Sequence, residues 1–283
     1  MSFSERIAFC NSYEPTRAMP LVAGEARIGR VRRDNAAILS RFDGVFAAEK
    51  NLLRLVATGD AAAVSAAVDR VVDGLVSEGR IPKWRNETFD VAAHWGDPPV
   101  FRLDRGAVPF FGSRAYGVHL NGFSRKRGAL YLWIGRRSAT KRVAPNKLDN
   151  LVAGGIASGY GVEKTLEKEA LEEAAIPSEL IAGAVPVGAL SYRMETREGI
   201  RDDVLFTYDL QLPMDFVPQN RDGELVEFTL MPVEAVLERI RTTSDFKFNV
   251  NLVILDFALR HGVLRPSEPE YLAVATGLHC GLD

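Results

Sequence analysis

The sequence predicts an α+β protein: a mixed β-sheet packed by helices, preceded by a smaller N-terminal α/β region. Two observations carry this. Strand-like alternation is concentrated in the second half of the chain, and helical periodicity lies after its glycine-rich loop and near its end rather than in a regular βαβ alternation. The length, 283 residues, suits one large or two modest domains, and 47% hydrophobic with 25% charged residues is ordinary for a globular chain.

In chain order, 34–48 reads as a helix with Asp34 as its N-cap. Asp60 to Glu78 is an amphipathic Ala/Val-rich helix capped by Asp60, with Gly79 as its stop signal. The stretch from Trp95 to Gly112 is rich in Gly and Pro and reads as a connector. It divides the chain into an accessory region (1–112), a main domain (113–265) and a C-terminal tail (266–283). Beyond it, 116–123 and 129–136 read as strands around a turn at 124–128. ALYLWIG, apolar on both faces, suits a central strand. Further strands are expected over 185–194, 204–212 and 227–231, and helices over 233–242 and 250–260, the last closed by Gly262.

A net charge of −2 gives no global basic field, so neither nucleic acid nor an anionic membrane is an expected partner. Cys10 and Cys280 are the only cysteines, which fits a reducing cytoplasm and argues against a disulfide scaffold or a cysteine-based zinc site. No apolar run approaches the ~20 residues of a membrane span. The first fifteen residues lack the basic and apolar segments of an export signal. A cytoplasmic protein is expected.

The stretch 154–176, GGIASGYGVEKTLEKEALEEAAI, concentrates the chemistry. Gly154, Gly155, Gly159 and Gly161 permit close backbone approach, and amides at a helix N-terminus attract phosphate oxygens. The helix that follows carries Glu169, Glu172 and Glu173 on one face. At about 100° per residue, Val162, Leu166, Ala170 and Ala174 form an apolar stripe with Glu173 inside it. A carboxylate at the core edge is costly alone; it requires a metal or a cation such as Lys168. A divalent cation bound by oxygen ligands, and a reaction on a phosphate compound, are therefore expected.

These residues resemble the Nudix hydrolase signature: a glycine, five residues, Glu, seven residues, then Arg-Glu-apolar-x-Glu-Glu-x-Gly-apolar. Gly154, Glu169, Ala170, Glu172, Glu173 and Ile176 match it. Tyr160 stands in place of the first Glu, Lys168 of Arg and Ala175 of the late Gly. The segments YGVHLNGF, LYLWIGRRSATK and LDNLVAGGIASG resemble the subgroup associated with thiamin pyrophosphokinase, which carries an extra N-terminal domain. The resemblance implies the Nudix fold, Mg²⁺ or Mn²⁺ held by Glu169, Glu172 and Glu173, and hydrolysis of thiamin diphosphate or its oxidised analogues to the monophosphate. It also implies that Lys168 positions a glutamate or offsets its charge, and that a later loop supplies a further acid. Glu224, in Asp222-Gly223-Glu224, is the candidate.

Gly154 and Gly155, with Arg136, Arg137 and Lys141, are candidate phosphate contacts. His119 is expected to be structural, and Trp133, Tyr192 and Phe206 to be core residues that could otherwise stack on a ring. The accessory region is expected either to cap the site or to mediate a homodimer. Hydrolysis of nucleotide sugars, dinucleotides or CoA esters, and a non-catalytic ligand-binding module, are the competing readings.

Overall fold

A capping box starts helix α1 (Phe3–Cys10): the Ser2 hydroxyl accepts from the Glu5 N–H, and the Glu5 carboxylate accepts from the Ser2 N–H. The computed structural model describes residues 1–82 and 87–282. Strands β1 (Ala18–Ala23) and β2 (Ala26–Arg32) form a hairpin, followed by α2 (Arg33–Leu39) and a second hairpin of β3 (Phe46–Glu49) and β4 (Leu52–Leu55). Parallel pairing of β1 with β4 joins the hairpins into one sheet, ordered β2-β1-β4-β3. Helix α3 (Ala61–Ser77) has the expected Asp60 N-cap, whose side chain accepts from the Ala63 N–H. Its buried Val64, Val68, Val71 and Leu75 share a core with Leu21 and Leu53.

Two sequence expectations need correction here. The helix expected over 34–48 stops at Leu39, and Arg32 rather than Asp34 holds its N-cap. Gly44, at φ +77°, lies in the bend that leads into β3, a conformation glycine takes without strain. The stretch taken as a connector contains strand β6 (Phe101–Asp104), paired with β5 (Thr88–Val91), and helix α4 (Val108–Phe111). Phe101, Leu103, Val108 and Phe111 are buried in the accessory core, so the Gly and Pro residues there punctuate short elements.

The large sheet begins with the long hairpin β7 (Arg114–Lys126) and β8 (Ala129–Arg137). Short strands β9 (Leu148–Asp149) and β10 (Val152–Gly155) follow, then helices α5 (Val162–Ala174) and α6 (Ser178–Ile181). Strands β11 (Val185–Glu195), β12 (Ile200–Gln211) and β13 (Leu225–Pro232) come next. Helices α7 (Val233–Thr242), α8 (Val250–Arg260) and α9 (Tyr271–Gly277) complete the chain. The strand order is β11-β12-β7-β8-β13, with β10 on β7 and β9 on β8. Only the β7–β12 pair in this sheet is parallel among the described residues, so the sheet is mixed, as expected.

Period-two alternation sends side chains of one strand to opposite cores. In β8, Leu132 and Ile134 join a core with residues of α1, α7, α8 and α9, including Phe3, Val236, Leu252 and Val274. Trp133 joins the other core, with Leu166 and Ala170 of α5. The sheet is thus covered on both faces, and α1 packs with the C-terminal helices rather than with the strands that follow it in sequence. For the site, one ladder matters most: Gly155 on β10 faces Gly117 on β7, which faces Leu205 on β12. No helix among the described residues is long and apolar enough to cross a membrane.

Candidate active site

Helix α5 buries Leu166, Ala170 and Ala174, and the same stripe carries Glu173 to 2% exposure. Glu173 Oε2 accepts from the Ala153 N–H of β10 at 2.8 Å. No ammonium or guanidinium forms an ion pair with it among the described residues. Burial pushes its carboxyl well above the usual carboxylate range, and the neighbouring carboxylates Glu169, Asp149 and Glu224 push it further.

Glu169 lies against the glycine strand. A Cβ on Gly154 would stand 2.4 Å from Glu169 Cγ, so only a glycine there admits this approach. Burial raises the Glu169 carboxyl too, and Lys168 opposes that rise. Lys168 Nζ reaches both Glu169 Oε1 (3.1 Å) and Glu172 Oε2 (2.6 Å), and its ammonium pKa is raised by these two carboxylates against the effect of burial. It thereby offsets the like-charge repulsion between them.

The loop between β12 and β13 closes onto the C-terminus of α5, where helix carbonyls lack partners within the helix. Arg221 N–H donates to Glu172 O (2.9 Å) and Gln219 N–H to Ala174 O (3.2 Å). Ser138 N–H in turn donates to Glu224 O (2.9 Å), which pins the loop to the end of β8. Inside the loop, Asn220 Oδ1 accepts from the Asp222 and Gly223 N–H groups, and Asp222 Oδ1 from the Glu224 N–H. The result is a convergence of Glu173, Asp222 and Glu224, one carboxylate oxygen of each within 4.8 Å of the others. Burial raises the Asp222 carboxyl, with Glu224 and Glu172 adding to it, while Lys141 ion-pairs with Glu224. Three oxygen donors around a negative potential at a helix C-terminus suit a hard divalent cation.

The structure therefore groups the sequence candidates in two sets. Glu173 and Glu224 join the convergent cluster, together with Asp222, which was not among the predicted ligands. Glu169 and Glu172 are gathered by Lys168 beside it. Asp222 was visible in sequence only as a turn residue; the tie between its loop and α5 is a tertiary fact.

Beside the cluster lies a cavity of about 370 Å³. Glu169, Glu172, Asp222 and Glu224 border it together with Arg137, Lys141, Arg142 and Lys247, so acidic and basic groups share one space. Gly154 and Gly155 also border it. Arg137 is buried and committed to Asp149 (2.6 Å) and to the carbonyls of Val143 and Ala144. Arg136 is off the cavity: neighbouring residues on a strand face opposite ways, and its guanidinium pairs with Glu227 at 2.9 Å. The accessory region contributes Phe89, Arg105, Val108 and Pro109 to the wall.

His119 is buried, and its Nδ1 meets Asn150 Oδ1 at 2.8 Å. Burial, with help from Lys247, lowers its pKa to about 4, so the ring stays neutral at pH 7. Trp133 and Tyr192 are core residues, whereas Phe206 clusters with Trp95 and Tyr116.

A family model described as a domain of unknown function, DUF4743, matches residues 2–115. The chain is 45% identical over 215 residues to "Nudix hydrolase 24, chloroplastic" of Arabidopsis thaliana, an alignment covering 76% of this chain and 59% of that protein. It thus spans about three fifths of that relative's length. Among solved structures, it resembles one from Deinococcus radiodurans (23% identity, TM-score 0.46, 59% of this chain and 97% of that one). It also resembles the NUDIX domain of Shewanella oneidensis NrtR in complex with ADP ribose (15% identity, TM-score 0.42, 56% and 93%). A second Arabidopsis thaliana protein, "Nudix hydrolase 20, chloroplastic", is 39% identical over 283 residues, 95% of this chain and 75% of its own length. On that likeness, which runs well beyond the glutamate helix, the chain belongs to the Nudix hydrolase family.

Proposed function

We propose that this protein hydrolyses the diphosphate linkage of a small heteroaromatic diphosphate, of the thiamin diphosphate type, to the monophosphate and phosphate. One observation carries the reading: Glu173, Asp222 and Glu224 converge beside a cavity that also presents Arg137, Lys141, Arg142 and Lys247. The donor set fits Mg²⁺ or Mn²⁺, since all three ligands are carboxylates and burial with like charge raises two of them in the metal's absence. When bound, the cation supplies neutralisation of phosphate charge and a lowered pKa for water.

The chain's own groups do the rest. Glu169, a largely buried carboxylate with a raised pKa, takes the proton from the attacking water. The water oxygen bonds to phosphorus, the bridging P–O bond breaks, and the leaving phosphate keeps the electron pair. Lys168 holds Glu169 and Glu172 in place. The missing side chains of Gly154 and Gly155 let Glu169 and Phe89 approach the strand closely, and the strand backbone borders the space for phosphate oxygens. Lys141 and Arg142 on the cavity wall balance substrate charge, Arg137 and Lys247 being committed to Asp149. In this reading residues 113–265 carry the chemistry and the accessory region 1–112 closes the cavity.

The test is product analysis after incubating the purified protein and Mg²⁺ with thiamin diphosphate, an oxidised thiamin diphosphate, ADP-ribose, a dinucleoside polyphosphate and CoA. The expected result is a thiamin monophosphate together with phosphate, at the highest kcat/KM of the set. Preference for any other member overturns the substrate assignment, and no metal-dependent release from any member favours the ligand-binding module.

A further inference from the structure

The cavity continues past the carboxylates to an end that the hydrolytic step does not use. Glu169 touches Gly154; the neighbouring Gly155 pairs with Gly117, and Gly117 with Leu205 on β12. Two strand spacings, about 10 Å, separate the acidic end from β12. Close packing requires glycine on the strands between: a Cβ on Gly117 would lie 2.9 Å from Gly154 O, and one on Gly155 2.6 Å from Phe89 Cζ. Phe89, Val108 and Pro109 border the same space from the accessory region. The wall therefore combines glycine backbone with Tyr116, His119 and Leu205 from the strands and Phe89, Val108 and Pro109 from the accessory region.

At the far end stands Asn249. It holds the N-cap of α8, where an Asn oxygen ordinarily turns back onto the helix amides. Here no such bond forms. Its Nδ2 instead donates to the Tyr192 hydroxyl at 3.4 Å, and that hydroxyl gives its own proton to Asp203. This fixes the amide's orientation, because exchanging oxygen and nitrogen would set Oδ1 against a hydroxyl with no proton to offer. Asn249 is 4% exposed and borders the cavity, and its Oδ1 is buried without a partner among the described residues. A buried acceptor in that state lacks the bond that such groups nearly always have.

We infer that this end of the cavity takes a flat heteroaromatic ring carrying an N–H or amino donor, and that Asn249 Oδ1 accepts that hydrogen. The inference rests on the diphosphate reading for the direction of the substrate, phosphates at the carboxylates and ring at Asn249. A ring with acceptors alone leaves Oδ1 unpaired, and a site of this kind rejects such a ring.

The experiment uses thiamin and its analogue with hydrogen in place of the pyrimidine amino group. Both are titrated without phosphates by calorimetry, and as diphosphates in turnover. The wild-type protein should prefer the amino ring by about tenfold in Kd, about 1.4 kcal/mol. Asn249→Ala should abolish that preference and raise KM for the amino diphosphate more than it lowers kcat. Equal binding of the two rings by the wild type overturns the inference, even where the variant fails to fold; so does a preference that survives Asn249→Ala. Ring preference without hydrolysis defeats the diphosphate reading alone, and hydrolysis without ring preference defeats the Asn249 subsite alone.

Discussion

Two kinds of buried carboxylate occur in this molecule. Asp149 sits between Arg137 (2.6 Å) and Lys247 (3.3 Å), and Asp209 takes Arg260, His261 and Asn121. Burial alone would raise both carboxyls, but the adjacent cations hold each below the usual carboxylate range. Asp202 is likewise met by Arg30, Arg114 and Arg193. Glu173 is as deeply buried and receives a backbone N–H, while the charges that raise it are carboxylates. The same desolvation cost is met in the first set by direct ion pairs with cations of the chain, whereas Glu173 has no such pair among the described residues and is offset by the charge of nearby Lys247, itself paired with Asp149. A buried carboxylate left without a paired cation in this way fits the cation site proposed above.

The largest effect should come from breaking a satisfied pair. Asp149→Ala strands Arg137 and Lys247 in the interior and should cost about 3–5 kcal/mol by denaturant melt. In the metal-free protein, Glu173→Gln should cost under about 1 kcal/mol or stabilise, since the amide oxygen can keep the Ala153 N–H bond while a disfavoured charge is lost. Equal losses in the two variants would erase the distinction between the sets.

A second contrast is in pH. His119 is held neutral, with its pKa lowered from 6.5 to about 4. Above pH 6.5 neither state is protonated and there is no penalty. As pH falls from 6.5 towards 4 the unfolded chain binds a proton that the folded chain does not, so stability drops by up to about 1.4 kcal/mol per pH unit. Asp149 and Asp209 have the opposite shift. Their stabilisation is present above the ordinary carboxylate range and is lost only as pH falls below it towards their lowered values. Melts of wild type and His119→Gln between pH 4 and 7 should separate the two: the variant should lose the decline near pH 5–6. A parallel decline in both would remove His119 from the account.

The smallest effect concerns the exit of the glutamate helix. Ala175, where the family pattern has glycine, adopts φ 50° and ψ 36°. Ala175→Gly should raise stability by about 0.5–1 kcal/mol, the relief of a left-handed alanine less the extra freedom of glycine in the unfolded chain. A loss of stability on that change would mean that the turn is not strained.

Much of this was legible locally. The N-cap of α3, the periodicity of α3, α7 and α8, the alternation in β12 and the two-faced apolar character of β8 each follow from a short window of sequence. The position of Glu173 within the apolar stripe followed from helical spacing alone. Helix α1 was missed although Ser2 and Glu5 form a capping box, because its core partners lie at the other end of the chain. Asp222, Phe89 and Asn249 were out of reach for the same reason: α5 meets the 219–224 loop, and the accessory region meets the glycine strand, only in three dimensions.

The most direct test of the central claim is calorimetric titration of Mn²⁺ into the metal-free protein, its Glu173→Gln and Asp222→Asn variants, and Glu227→Gln as a surface control. The wild type and control should bind saturably with the same affinity, and the two site variants should each lose about 10–100-fold. Absence of saturable binding in the wild type, or undiminished affinity in both site variants, would contradict the assignment of Glu173, Asp222 and Glu224 as the cation site.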